Sequence, residues 1–261
     1  MIEFKEPYYV VEFNSSIVNF EIFINDIPAF IHHSGGAIFS HVPINHFILE
    51  SGKQNIKINI LPLKGNTNLK EDGSVKIKVF CYDSSTTNYE NTIEAFRFEK
   101  VDFSEDNLPI KNLIKEFNAD VNYKIEGWKN STLLKDNLNK EEIIKYFKGL
   151  HTAFKEKNIE NIFHEMKNKF NEVDMAIYLG NVDNKTELSQ LFANLESGRF
   201  ILEDFPASTH IELFGNNRIC TLTRIKDVPI IYYKNKETNE EFSFPIFLHK
   251  KLDNNSFEII R

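Results

Sequence analysis

Four of the chain's eight histidines, His32, His33, His41 and His46, crowd into the stretch IHHSGGAIFSHVPINH. Imidazole nitrogens are common ligands of zinc and other transition metals, so metal binding is the first chemistry to test. Strand geometry argues against it. In an extended segment His32 and His33 point to opposite faces, and one metal cannot take both without a bulge. His33 and His41 could meet across a hairpin turning at Ser34-Gly35-Gly36, which makes them the pair worth carrying forward as metal candidates. No cysteine lies nearby, and the carboxylates within reach in sequence are Asp26 and Glu50. The expectation is a set of strand and turn histidines that hold no metal.

The chain contains no GxSxG, GxGxxG, GxxxxGK[ST] or HExxH, so nucleophile elbows, phosphate-cradling loops and helical zinc pairs are not signalled. GNTNLKEDGS carries amide and acidic oxygens but lacks the order of a calcium loop. No cofactor is expected. The two cysteines, Cys81 and Cys220, have no CxxC spacing and read as free thiols of a reducing compartment.

Composition narrows the partners. With 41% hydrophobic and 26% charged residues the chain is globular rather than disordered. The net charge of −7, without any basic run, excludes a phosphate-neutralising surface and hence nucleic acid as the expected partner. No apolar stretch approaches the length of a membrane span, and the start MIEFKEPYYVVEFNSS has no basic then apolar leader, so a cytoplasmic protein is expected.

Up to about residue 128 the pattern is one strand after another. YYVVEF (8–13), IVNFEIFI (17–24), NIKINIL (55–61), VKIKVFCY (75–82) and IEAFRFEKVDF (93–103) are β-branched or aromatic runs parted by Gly, Asn and Asp turns. In NIKINIL the residues Ile56, Ile58 and Ile60 share one face, the mark of a half-buried antiparallel strand. Many short strands so spaced predict a β-sandwich. Between 104 and 139 the pattern loosens, with IKNLIKEF read as a short helix and VNYKIEGW as a further strand.

The period then becomes helical. Asn139 with Glu142 makes a capping box, and Ile143, Ile144, Phe147, Leu150, His151 and Phe154 follow at helical spacing. A second helix opens near Ile159. A third opens after Thr186 and ends at Gly198, read as a left-handed cap. From residue 200 onward antiparallel strands return, predicting an α+β layer with helices on a curved antiparallel sheet. The expected domains are a β-sandwich at 1–130, a linker at 131–139 and an α+β domain at 140–261.

Two resemblances attach to these segments. VPINHFILESGKQNIKINILP resembles the paired strands of bacterial jelly-roll and immunoglobulin-like sandwich modules. Residues 141–261 resemble the NTF2-like, or SnoaL-like, family: EEIIKYFKGLHTAFKEKNIENIFHEM is similar to its opening helix pair and FPIFLHKKLDNNSFEIIR to its last hairpin. That resemblance implies a conical pocket in which an Asp, His or Tyr does acid–base work. The residues of those types here are Tyr146, His151, His164, Asp174, Tyr178, Asp204, His210 and Tyr232, with His210, Asp204, Asp174 and Tyr232 the set to carry catalysis if the domain is an enzyme. Large side chains, among them Phe147, Phe154, Phe163, Phe170, Phe192 and Phe244, are expected to fill the cone and leave a shallow opening near His210 and Tyr232.

The function expected is therefore a non-catalytic, cytoplasmic protein-binding protein with a partner of basic surface, in the manner of an immunity or accessory protein of a bacterial toxin system. A homodimer is compatible with these features. A small-molecule enzyme or carrier using the NTF2-like pocket is the first alternative and a glycan-binding module the second.

Overall fold

The alternation read in the first half produces eight strands in a computed structural model of the chain, which describes residues 4–86, 91–101, 103, 108–253 and 255–261, with backbone alone at 100, 101 and 136–138. They are β1 (Pro7–Ser16), β2 (Asn19–Ile24), β3 (Ile27–His32), β4 (Ile38–Pro43), β5 (Gly52–Leu61), β6 (Ser74–Asp83), β7 (Ile93–Val101) and β8 (Lys111–Ala119). They pair antiparallel into two four-stranded sheets of order β4-β1-β6-β7 and β3-β2-β5-β8. Tyr9, Val11 and Phe13 of β1 are buried on one face while Asn14 is exposed on the other, and Ile56, Ile58 and Ile60 of β5 are fully buried. Phe13 stacks on Phe30 of β3 at 4.2 Å and meets Phe20 of β2 edge-on at 5.5 Å, so aromatic rings join the two sheets. Asn25 and Asp26 both take positive φ, as a tight two-residue turn between β2 and β3 demands.

Three expectations for this half are corrected. IKNLIKEF is strand β8 rather than a helix, paired with β5 from Gly52↔Ala119 to Ile60↔Lys111. Helix and strand propensity are close in that segment, and the ladder offered by the open edge of β5 decides. No strand forms between 120 and 130. Nor do β3 and β4 make a hairpin, since they belong to different sheets.

The second half holds α1 (Asp136–Lys155), α2 (Ile159–Ala176) and α3 (Asn184–Ser197), followed by β9 (Ile201–Leu202), β10 (His210–Phe214), β11 (Ile219–Thr223), β12 (Ile231–Lys234), β13 (Glu241–Phe244), β14 (Leu248–Lys250) and β15 (Phe257–Ile259). These strands form two antiparallel sheets, β10-β11-β14-β15 and β13-β12-β9. One core joins helices and strands: Ile143, Phe147, Leu150 and Phe154 of α1 with Ile162 and Met166 of α2, Leu188 and Phe192 of α3, and Cys220, Leu222, Ile231, Leu248 and Ile259 of the strands. Among the described residues no helix is long and apolar enough to cross a membrane.

Two helix ends differ from expectation. α1 starts three residues ahead of Asn139, whose side-chain oxygen instead accepts from the backbone nitrogen of Lys135 at 3.4 Å. At the end of α3 the left-handed residue is Arg199 (φ 56°), not Gly198 (φ −77°). Gly198 is required for space, because a Cβ there would lie 3.0 Å from the Phe200 ring and 3.1 Å from the Asn194 carbonyl.

The chain divides into two compact units, Met1–Ile125 with Ala176–Tyr178, and Glu126–Met175 with Leu179–Arg261. Residues 131–134, read as linker from the sequence, hydrogen bond inside the second unit: Thr132 N donates to the Lys250 carbonyl at 2.8 Å and Leu134 N to that of Asn217 at 2.7 Å. In the first unit the fully buried Asn45 accounts for the return of the chain at Ala176. Its Oδ1 accepts from Tyr9 N, and its Nδ2 donates to the Pro7 carbonyl at 3.0 Å and the Ala176 carbonyl at 2.9 Å. Asn45→Leu keeps the volume but strands three buried backbone groups, each worth about 1 kcal/mol or more. Urea unfolding of this variant should show a loss of about 3 kcal/mol; a loss under about 1 kcal/mol would contradict the role of Asn45 as a strut.

Candidate functional site

The clustered histidines are dispersed by the fold. His32 is buried, its Nε2 donating to the Gly36 carbonyl at 3.0 Å and its ring 5.4 Å from that of Phe20. His33 reaches Glu21 Oε1 at 3.0 Å beside the β2–β3 ladder, whereas His41 lies in β4 opposite Glu12 in the other sheet. The His46 ring packs on Phe47. Among the described residues no three His, Cys, Asp or Glu side chains gather as a metal ion would require.

The four acid–base candidates are likewise held in separate structural roles. Asp174 near the end of α2 accepts from Asn184 Nδ2 at 2.5 Å. Asp204 is exposed and pairs with Lys155 at 3.3 Å, while its carbonyl and that of Glu203 take the Arg224 guanidinium at 2.8 and 3.0 Å. Arg224 also covers the Tyr232 ring at 5.8 Å, and a hydrogen bond to Glu241 is the main cause that pushes the Tyr232 phenol up to about 12. His210 opens β10, exposed, opposite Thr223. Among the described residues no hydrogen bond or ion pair joins any two of the four. His151 is a satisfied core residue, with Nε2 donating to the Glu203 carbonyl at 3.0 Å, and Tyr178 belongs to the first unit.

A cavity does exist, away from the place expected for it. It is an open cleft of about 540 Å³ in the second unit, lined by Glu142, Lys145, Tyr146, Gly149 and Leu150 of α1, Asn161 and Glu165 of α2, Asn255 and Ser256 just before β15, and Phe257 at its start. The α1 residues recur at three- and four-residue steps and the α2 pair at four, so each helix presents one face to it. Gly149 keeps that face low, since nothing stands within 4 Å of where its Cβ would be.

Electrostatics separate the two carboxylates of the cleft. Glu142 is neutralised by Lys250, whose ammonium reaches it at 2.7 Å from a side chain only 8% exposed. Glu165 takes its hydrogen bond from the neutral Tyr146 hydroxyl and, among the described residues, pairs with no cation. Burial, followed by this bond and the Glu165 charge, raises the Tyr146 phenol well above its ordinary value. Tyr146 is thus a fixed donor rather than a base. The lining offers apolar surface in Leu150 and Phe257, an amide in Asn161, the ammonium of Lys145 and the Glu165 carboxylate, which makes no ion pair among the described residues. Sequence reading reached Tyr146 through the family resemblance and missed Glu165; the signal that could have found it is the Asn161, Glu165 step on the flank of an apolar stripe.

One further pairing has a catalytic look. Ser131 Oγ and His249 Nδ1 are 2.7 Å apart, and both residues are buried. An imidazole that activates a serine must be a competent base near neutrality and must leave the hydroxyl open to substrate. Neither condition holds, since burial, the largest cause, lowers the His249 imidazole to about 4.

No family model matches the chain, and neither do any of the curated proteins or solved structures compared with it.

His249 makes stability depend on pH. Its folded value, about 4, lies below the usual 6.5, so the unfolded chain takes up the proton first. The contribution from burying a neutral ring is whole above about pH 6.5 and is lost as the pH falls towards 4, by about 3 kcal/mol in all. Urea midpoints across this range should fall steeply for the native chain and less steeply for His249→Gln. Equal slopes would contradict the assignment.

Proposed function

We propose that the chain is a non-catalytic binding protein and that the cleft of the second unit receives a lysine or arginine side chain of another protein. The observation that carries this reading is Glu165, a half-buried carboxylate whose hydrogen bond comes from a neutral phenol and which, among the described residues, makes no ion pair. A long basic side chain matches such a place in each of its parts. Its methylenes lie along Leu150 and Phe257 and its cationic head meets Glu165. The net charge of −7 favours encounter with a basic partner. The raised Tyr146 phenol supports a binding rather than a catalytic role, because it supplies no base.

The role that fits these features is that of a cytoplasmic immunity or accessory protein neutralising a basic toxin domain. As to architecture, we read the first unit as a β-sandwich, supported by the ring contacts between its sheets, and the second as NTF2-like, supported by helices that precede an antiparallel meander. The cleft volume also suits a small free amine, which would make the protein a carrier.

Selection from a random peptide library against the full chain should enrich sequences bearing Lys or Arg, and Glu165→Gln should weaken the enriched peptides roughly tenfold. Competition by free lysine or arginine at similar concentration would favour the carrier. Enrichment of neutral or acidic sequences, or unchanged affinity in the variant, would contradict the reading.

Gly149 gives a second check. Gly149→Ala should raise stability by about 1 kcal/mol, since the site is mid-helix and has room for a methyl group. Gly149→Phe should fill the cleft and abolish peptide binding while the helix content measured by circular dichroism is kept. Full binding by a folded Gly149→Phe protein would place the site elsewhere.

A further inference from the structure

Tyr9, Val11 and Phe13 point inward from β1, so Glu12 and Asn14 stand on the outer face of the sheet β4-β1-β6-β7. Residues opposite one another on neighbouring strands share that face. One row across it is therefore His41, Glu12, Lys78 and Arg97, and the next is Phe39, Asn14 and Lys76. The edge strand β7 is bulged twice beside these rows. Lys76 faces two residues of β7, Glu99 and Lys100, and Ala95 is an extra residue between the pairs Val79↔Phe96 and Phe80↔Glu94. Bulges bend a strand and re-aim its side chains. Here they bracket the part of β7 that borders a cleft of about 250 Å³, whose wall includes Glu12, Asn14, Phe39, Lys76, Arg97 and Glu99.

The ionic groups of this cleft fall into two kinds. Lys78 is held by Glu12 at 3.0 Å, and Arg97 by both oxygens of Glu94, so these pairs serve as fixed wall. Lys76 and Glu99, by contrast, make no ion pair among the described residues, nor does the Asn14 side chain make a hydrogen bond among them. Beside them the Phe39 ring is 69% exposed. The cleft thus offers a pure donor, a pure acceptor, an amide that is both, and an apolar ring. An anion would meet Glu99 and a cation Lys76, so neither sign is favoured. A hydroxyl group is donor and acceptor at once. It can donate to the carboxylate while accepting from the ammonium or the amide, and hydrogen bonds to charged partners are the strong ones.

We propose that this cleft binds one ring of a neutral sugar, with the hydroxyl edge of a hexopyranose on Lys76, Asn14 and Glu99 and one of its C–H faces on Phe39. The volume suits a single ring, being below the roughly 300–1,000 Å³ of sites that enclose larger ligands. An uncharged polyol also loses less hydration on entering than an ion does. Sugar binding at this face adds a site on the first unit and does not depend on what the cleft of the second unit receives.

The test is saturation-transfer NMR of the full chain with glucose, galactose, mannose and N-acetylglucosamine, each as free sugar and as methyl glycoside, and with methyl glucuronide as the charged comparison. At least one neutral sugar should give saturable transfer to its ring C–H protons and should bind more tightly than the glucuronide. Its affinity should fall about tenfold in Phe39→Ala and in Lys76→Ala. Both side chains are exposed, so both variants should keep the native circular dichroism. A methyl glycoside that matches its free sugar marks a ring carried within a glycan, and binding of the free sugar alone marks a monosaccharide. No saturable transfer from any neutral sugar overturns the proposal. A glucuronide that binds as tightly as the best of them also overturns it, since the cleft would then be an anion site. So does an affinity left unchanged in either variant.

Discussion

An ammonium taken out of water must meet a counter-charge or surrender its proton, and the second unit is organised around this constraint. Lys250 alternates with Leu248 on the core-facing side of β14, so its stem is buried and its head has to be matched at the rim. Glu142 of α1 matches it at 2.7 Å, and the Phe257 ring lies 5.2 Å from the same ammonium. Lys250 is buried but Glu142 is half exposed, so the pair is screened by water on the Glu142 side and holds the first turns of α1 to the strand at the rim. The wall of the cleft is set by that attachment, and because Glu142 is consumed in it, Glu165 is left as the carboxylate with charge to offer.

Lys169 shows the other outcome of the same constraint. It too occupies a core-facing position, yet no carboxylate among the described residues pairs with it, and burial first and Arg261 second push the ammonium towards the neutral amine. The neutral polar groups of the interior are treated differently again. Asn45 and His151 are each given partners of the correct polarity, which makes them structural rather than reactive. The distinction between scaffold and site in this molecule is thus one of satisfied against unsatisfied buried polarity.

Much of the frame was legible in the chain because it depends on local period. Ile56, Ile58 and Ile60 alternate as a strand must, and Ile143, Phe147, Leu150 and Phe154 recur as a helix must. What misled was decided by distant pairing. IKNLIKEF becomes a strand because β5 has an open edge, and the pairing of His33 and His41 fails because β3 and β4 enter different sheets. The cleft was hidden for the same reason. Lys250 and Glu142 meet across more than a hundred residues of chain, and no spacing rule announces that this meeting leaves Glu165 uncompensated. Lys169 was readable, as a charge set three residues after Met166 in an otherwise apolar stripe, but a lysine in such a stripe is ordinarily taken to snorkel outward.

The most direct measurement of the account is a titration of the full, nitrogen-15-labelled chain with N-acetyl-lysine methylamide, a lysine side chain without a peptide around it, followed by amide NMR shifts. Saturable shifts at Tyr146, Gly149, Asn161 and Glu165 that weaken as salt is added, and that vanish in Glu165→Gln, are the predicted result. Shifts confined to other parts of the chain, or none that saturate, would contradict a cation-receiving cleft.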